Sequence, residues 1–120
     1  MSVRDYKDLL IWQRSFAIAN NIIPLTAMFP KEHRYGLASQ INRCAVSVPS
    51  NIAEGYARHS TKEYIRFLRI ALGSLAELET QCMITVEQSF ISQDTAKIAL
   101  KEIDEIAKMT HSIIRKLQPN

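Results

Sequence analysis

Glycine and proline are scarce in this sequence, three and four among 120 residues, which leaves little room for linkers. Only two cysteines occur, Cys44 and Cys82, and neither stands in a C-x-x-C or Cys/His spacing that would suggest a metal. Both fall on helical apolar seams, so buried thiols acting as small hydrophobes are expected. No apolar run approaches the length of a membrane span, and the opening MSVRDYKDLL has no signal-peptide core. A cytoplasmic, reduced protein is expected. His33, His59 and His111 stand apart from one another and from any partner at ligand spacing. The Glu-x-x-His pairs of a di-iron bundle do not occur. A glycine-rich phosphate loop, a nucleophile elbow and an H-E-x-x-H helix are missing too. No catalytic residue, cofactor or metal is therefore expected, and nothing reads as an enzyme.

What is present is ordinary globular composition, 47% hydrophobic and 22% charged, at a length that suits one domain over residues 1–120. The chain is organised around Tyr35 to Ser74. An apolar seam runs through Leu37, Ile41, Cys44, Val48 and Ile52 at helical spacing. It breaks at Gly55 to His59, where Ser60 and Glu63 supply the S-x-x-E pattern of a capping box. Tyr64, Leu68, Ala71, Leu75, Leu78 and Cys82 then carry the seam on.

Helix 1 is expected from about Leu9 to Met28 with Asp5 or Asp8 as cap, on a seam of Leu9, Trp12, Phe16, Ala19 and Ile23. A second stripe of Ile11, Ile18, Ile22 and Leu25 makes its apolar face wider than one bundle needs, so that stripe is expected to meet another subunit. Pro24 is expected to kink or end this helix, and Pro49 to bend helix 2, which spans about Arg34 to Tyr56. Helix 3 is expected from about Thr61 to Gln88. Gly73 and Ser74 in its middle point to close approach of another helix, in the bundle or across a subunit boundary. Ser92 caps helix 4, whose seam runs from Ala96 to Leu117. Four helices of similar length with short turns predict an all-α, antiparallel up-down-up-down four-helix bundle.

That topology sorts the charge. The modest net +3 conceals an end carrying ten bases against four acids, net +6, and an opposite end of net −3. The positive end holds Arg4, Lys7, Arg14, Arg58, Lys62, Arg66, Arg69, Lys108, Arg115 and Lys116. Residues 70 to 96 contain no basic residue at all. Such polarity would draw a polyanion to one end, or it could serve only to keep the surface solvated. Aromatic interleaving is thin, so phosphate contact and not base readout is the most it supports.

The segments YKDLLIWQRS, FPKEHRYGLASQINRCAVSVPSNIAEGYAR and KEYIRFLRIALGSLAELE resemble the bacterial four-helix-bundle proteins encoded in 23S rRNA intervening sequences. That family is also similar to the accessory variability determinants of diversity-generating retroelements. The resemblance covers about Tyr6 to Leu117; His33 stands where the family more usually has an acidic residue. It implies a protomer that assembles into a homopentamer. In the retroelement relatives it implies a basic surface that binds nucleic acid and a partner reverse transcriptase. Positions matching the motif are Arg43, Asn51, Glu54, Gly55, Arg58, Lys62, Glu63, Arg66 and Arg69. The expected nucleic-acid contacts are Arg43, Arg58, Lys62, Arg66, Arg69, Arg115 and Lys116; the expected subunit contacts are Ile11, Ile18, Ile22, Leu25 and Gly73. The rival reading is an adaptor oligomer that docks a protein partner and binds no nucleic acid itself.

Overall fold

The four apolar seams fold as four helices in a computed structural model that describes residues 5–119. They are α1 (Leu10–Thr26), α2 (Leu37–Ala57), α3 (Thr61–Glu87) and α4 (Gln93–Leu117), with single 3-10 turns at Tyr6–Asp8 and Lys31–His33. Among the described residues there is no strand, and no helix is long and apolar enough to cross a membrane. Arg4, one of the expected basic residues, lies outside the described residues.

The ends of the helices follow local chemistry. Asp5 caps the 3-10 turn, accepting from the Lys7 amide at 2.7 Å, so α1 itself starts later, at Leu10, without a side-chain cap. Its last turn holds Pro24, and it stops two residues later at Thr26. α2 begins at Leu37, three residues after the sequence places it, because Lys31–His33 takes a separate turn. It runs on through Pro49 to Ala57. The residue that turns the chain into α3 is His59, at a left-handed φ of 55°, and not Gly55, which is buried inside α2. The Ser60 hydroxyl then accepts from the Glu63 amide at 3.3 Å, while the Glu63 carboxylate turns away to arginines.

Cross-helix hydrogen bonds fix the directions. Thr26 bonds Asn42 between α1 and α2, and Arg14 bonds Glu102 between α1 and α4. Between α2 and α3, the most extensive helix contact, Gln40 pairs with Gln81, Cys44 with Glu77 and Ser47 with Ser74. Between α2 and α3 one partner number rises as the other falls, so the two run antiparallel, and α1 does the same against α2, with Trp12 and Phe16 near Ala53 and Thr26 near Ala38 and Asn42. The result is an up-down bundle of 46 × 24 × 22 Å. Its core comprises Ile41, Val48, Ile52, Leu68, Leu75, Leu78, Ile103 and Ile106, with both thiols among them.

The expectation for α1 is reversed at three of the four stripe positions, while the fourth, Leu25, is half-buried and lines a groove against α4. Ile11, Ile18 and Ile22 are 1%, 3% and 3% exposed and sit in the protomer core, so they have no surface to offer another subunit. The stripe that faces outward is Phe16 and Ile23, at 51% and 42%. Both stripes have the helical period and neither carries a charge, so period alone cannot choose between them. Ser15 lies on the buried side with Ile11, Ile18 and Ile22. It looks like a surface residue, yet it is fully buried with its hydroxyl donating to the Ile11 carbonyl at 2.6 Å, which removes the cost of burying it.

Candidate nucleic-acid interface

The antiparallel register brings the start of α1, the α2–α3 turn and the end of α4 to one end of the bundle. Arg58, Lys62, Arg66, Arg69, Arg115 and Lys116 all belong to it. On α3 the positions 62, 66 and 69 share one exposed face at i, i+4, i+7, a rise of about 10 Å along the helix. Arg43 does not join them. It lies near the middle of α2, on the rim of a polar cleft with Gln40, Cys44, Ser47, Ser74, Glu77 and Gln81.

Acids at this end restrain part of the charge. Arg58 reaches Glu54 at 3.2 Å and Glu63 at 3.6 Å, and Arg66 holds Glu63 at 3.0 Å. The hydrogen bond from Arg66, with the fields of Arg66, Arg58 and Lys62, lowers the Glu63 pKa below the ordinary carboxylate value. Two other bases expected here pair with acids of the opposite half, Arg14 with Glu102 and Lys108 with Asp104. Lys62, Arg69, Arg115 and Lys116 make no ion pair among the described residues. The exposed pairs are weak in water, so a phosphate can compete for their arginines.

Under these cations the rings are occupied. The guanidinium groups of Arg66 and Arg58 lie 4.5 and 5.1 Å from the Phe67 ring centroid, and Phe67 is itself buried. Tyr56 and Tyr64 meet edge to face at 5.5 Å. The Tyr64 hydroxyl is buried with no hydrogen-bond partner among the described residues, and burial, with a smaller contribution from Tyr56, pushes its pKa up to about 12.

A second feature was not legible in the sequence. Tyr6, Trp12, Phe16, Ala19 and Ile23 form, with Val46, Pro49 and Ala53 of α2, an apolar groove of about 370 Å³. Trp12 and Phe16 stack at 4.8 Å and Tyr6 meets Trp12 edgewise at 5.4 Å. Phe16, Ile23 and Val46 are each more than two-fifths exposed. The signal was the breadth of apolar residues on α1; the reading assigned the outward part to the wrong stripe.

The polar cleft explains the chemistry of Cys44. Its thiol donates to Glu77 Oε2 at 2.8 Å, and burial followed by that bond pushes its pKa up to about 12. Burial likewise raises Cys82 to about 11. Neither thiol is poised as a nucleophile. Among the described residues no group of three His, Cys, Asp or Glu side chains could hold a metal ion. Gly73, expected at a close helix contact, has nothing within 4 Å of where a Cβ would stand.

The family model for 23S rRNA-intervening sequence proteins matches residues 7–112. Among solved structures, a protein of unknown function from the S23 ribosomal protein family of Bacteroides thetaiotaomicron VPI-5482 is similar. It shares 25% identity at a TM-score of 0.81, covering 88% of this chain and 98% of that one. No curated protein matches the sequence.

Proposed function

Because the chain belongs to the 23S rRNA-intervening sequence protein family, we propose that it is a non-enzymatic, homo-oligomeric bundle that holds RNA by its phosphate backbone at the basic end. The observation that carries this is the exposed α3 face of Lys62, Arg66 and Arg69, with Arg115 and Lys116 at the same end of the fold. Lys62, Arg69, Arg115 and Lys116 lack acidic partners among the described residues, and Arg66 gives up little on leaving its own. Repetition of that end around an oligomer would multiply the attraction. The resemblance to the retroelement relatives implies five copies.

The subunit contact belongs on the α1–α2 groove of Phe16, Ile23 and Val46, with the open face at Gly73 available for close approach. Contiguous apolar surface of this kind is costly to leave in water. The same groove supports a second reading, an adaptor that docks a protein partner such as a reverse transcriptase and binds no RNA itself.

One titration separates the two. Nuclease-treated protein is titrated with mixed RNA between about 50 and 200 mM salt, where each phosphate contact adds to the log–log slope. A steep slope, flattened in a protein with Lys62, Arg66, Arg69 and Arg115 changed to alanine, supports RNA binding by the basic end. No binding at the lowest salt leaves the adaptor. Sedimentation of the Ile23→Ser protein reports on the groove, and an unchanged subunit count would take the interface elsewhere.

A further inference from the structure

We propose that the basic ridge takes base-paired RNA and discriminates against single strands, an inference that rests on the RNA reading above. Proteins that hold single strands combine a positive groove with a succession of exposed rings on which bases stack. Neither element is present along Lys62, Arg66 and Arg69. The cations stand on the outward ridge of one helix, and none of Lys62, Arg66 and Arg69 lines the clefts found between α1 and α2, α1 and α4, α2 and α3, or α3 and α4.

The nearest rings are already engaged. Phe67 is buried beneath the guanidinium groups of Arg58 and Arg66, and Tyr56 and Tyr64 are turned against each other. His59 is exposed at the turn, a single small ring where stacking requires several. A base displaced along this ridge would therefore lose its neighbours in the strand and gain no platform there, since the exposed ring of Phe16 lies in the α1–α2 groove on another face.

A duplex asks for none of this, since its bases remain stacked on one another. Paired RNA presents a wide, shallow minor groove bordered by phosphates and is recognised through shape and backbone. A helix with its side chains is about 10–12 Å across, a ridge suited to such a surface. The contacts from Glu54 through Arg58 and Glu63 to Arg66 are exposed and weak, so both guanidinium groups can turn from the acids to phosphates. The regular rise of α3 sets the spacing of Lys62, Arg66 and Arg69, which suits the regular phosphate spacing of a duplex better than the variable spacing of a flexible strand.

The test uses the full chain at low salt with fluorescein-labelled RNA of about 20 base pairs, longer than the span of a typical duplex-binding domain. An oligouridylate of equal length and a DNA duplex of the same sequence complete the set. Anisotropy should show the RNA duplex bound about tenfold or more tighter than oligouridylate. That preference should be lost in Lys62→Ala/Arg69→Ala, whose exposed positions leave folding intact. Oligouridylate bound as tightly as duplex would overturn the inference while leaving RNA binding standing. If that single-strand binding vanished in Phe16→Ser, the aromatic α1–α2 groove would be its seat. Equal affinity for the DNA duplex would overturn the choice of RNA. No binding of any of the three would remove the inference together with the RNA reading.

Discussion

Gly55 and Phe67 approach so closely that a Cβ on Gly55 would stand 2.5 Å from the Phe67 Cβ. Real side-chain carbons do not come so near, so a methyl group there must push α2 and α3 apart. Gly73, the other helical glycine, has nothing within 4 Å. The two glycines should therefore respond oppositely to the same substitution. In chemical denaturation Gly55→Ala should lose about 1–3 kcal/mol through overpacking. Gly73→Ala should gain about 0.5–1 kcal/mol from helix propensity. If Gly73→Ala instead lowers the subunit count, a second copy approaches at that face.

Neighbouring isoleucines on α1 should also diverge. Ile22→Ala opens a cavity in the core and should cost about 2–5 kcal/mol in urea unfolding. Ile23→Ser touches only the outward stripe and should leave the protomer within about 0.5 kcal/mol of the original. Equal losses at the two positions would mean that α1 is rotated from the orientation described here.

Both thiols should be silent in the native protein. With pKa values raised from 9.0 to about 12 and about 11, the thiolate fraction of Cys44 near pH 8 falls by about a thousandfold and that of Cys82 by about a hundredfold. Labelling by a disulfide reagent should become rapid only on unfolding. The sign for stability follows from the raised folded values. Below pH 9 both states keep the proton and the stability is fully present. It is lost as pH rises from about 9 through about 11 to 12, because the unfolded thiols ionise first. A flat stability profile across that window would contradict the burial.

Glu63 restrains the ridge that it helps to order. Its carboxylate engages Arg58 and Arg66, and its pKa is lowered chiefly by the Arg66 hydrogen bond. Glu63→Gln removes one negative charge and should strengthen RNA binding at low salt by severalfold, with the gain fading as salt rises. Stability should hardly change, since exposed pairs contribute little. Any stabilising effect of the wild-type carboxylate is present above its unfolded pKa and is lost as pH falls through the lower folded value. Weaker binding by Glu63→Gln would mean that the ordering of Arg58 and Arg66 outweighs the charge.

The helices were legible in the sequence because their seams repeat at 3-4 spacing and their caps are explicit at Ser60 and Ser92, each of which accepts from the amide three residues on. The basic character of Lys62, Arg66 and Arg69 was equally legible, since one helix face carries all three. Arg43 joined the expected contacts only through the family resemblance, since its place early in α2 already puts it outside the basic end; in the structure it lies on the rim of the cleft that Glu77 and Gln81 also line. The role of Gly55 was hidden. A glycine before a turn suggests the turn, yet this one serves a contact with Phe67 and leaves the left-handed position to His59.

By itself the sequence determined the four amphipathic helices, their order and the crowding of positive charge toward one end, all set by local periodicity, capping and short turns. Only tertiary structure decided how α1 is turned about its axis. Two uncharged stripes lie one residue apart on that helix, and burial of Ile11, Ile18 and Ile22 against the other helices selects between them. It also decided which charges pair between helices. The pairs Arg58–Glu54, Arg66–Glu63 and Lys108–Asp104 follow from i,i+3 and i,i+4 spacing, whereas Arg14–Glu102 and Arg58–Glu63 reach between helices and exist only once these pack.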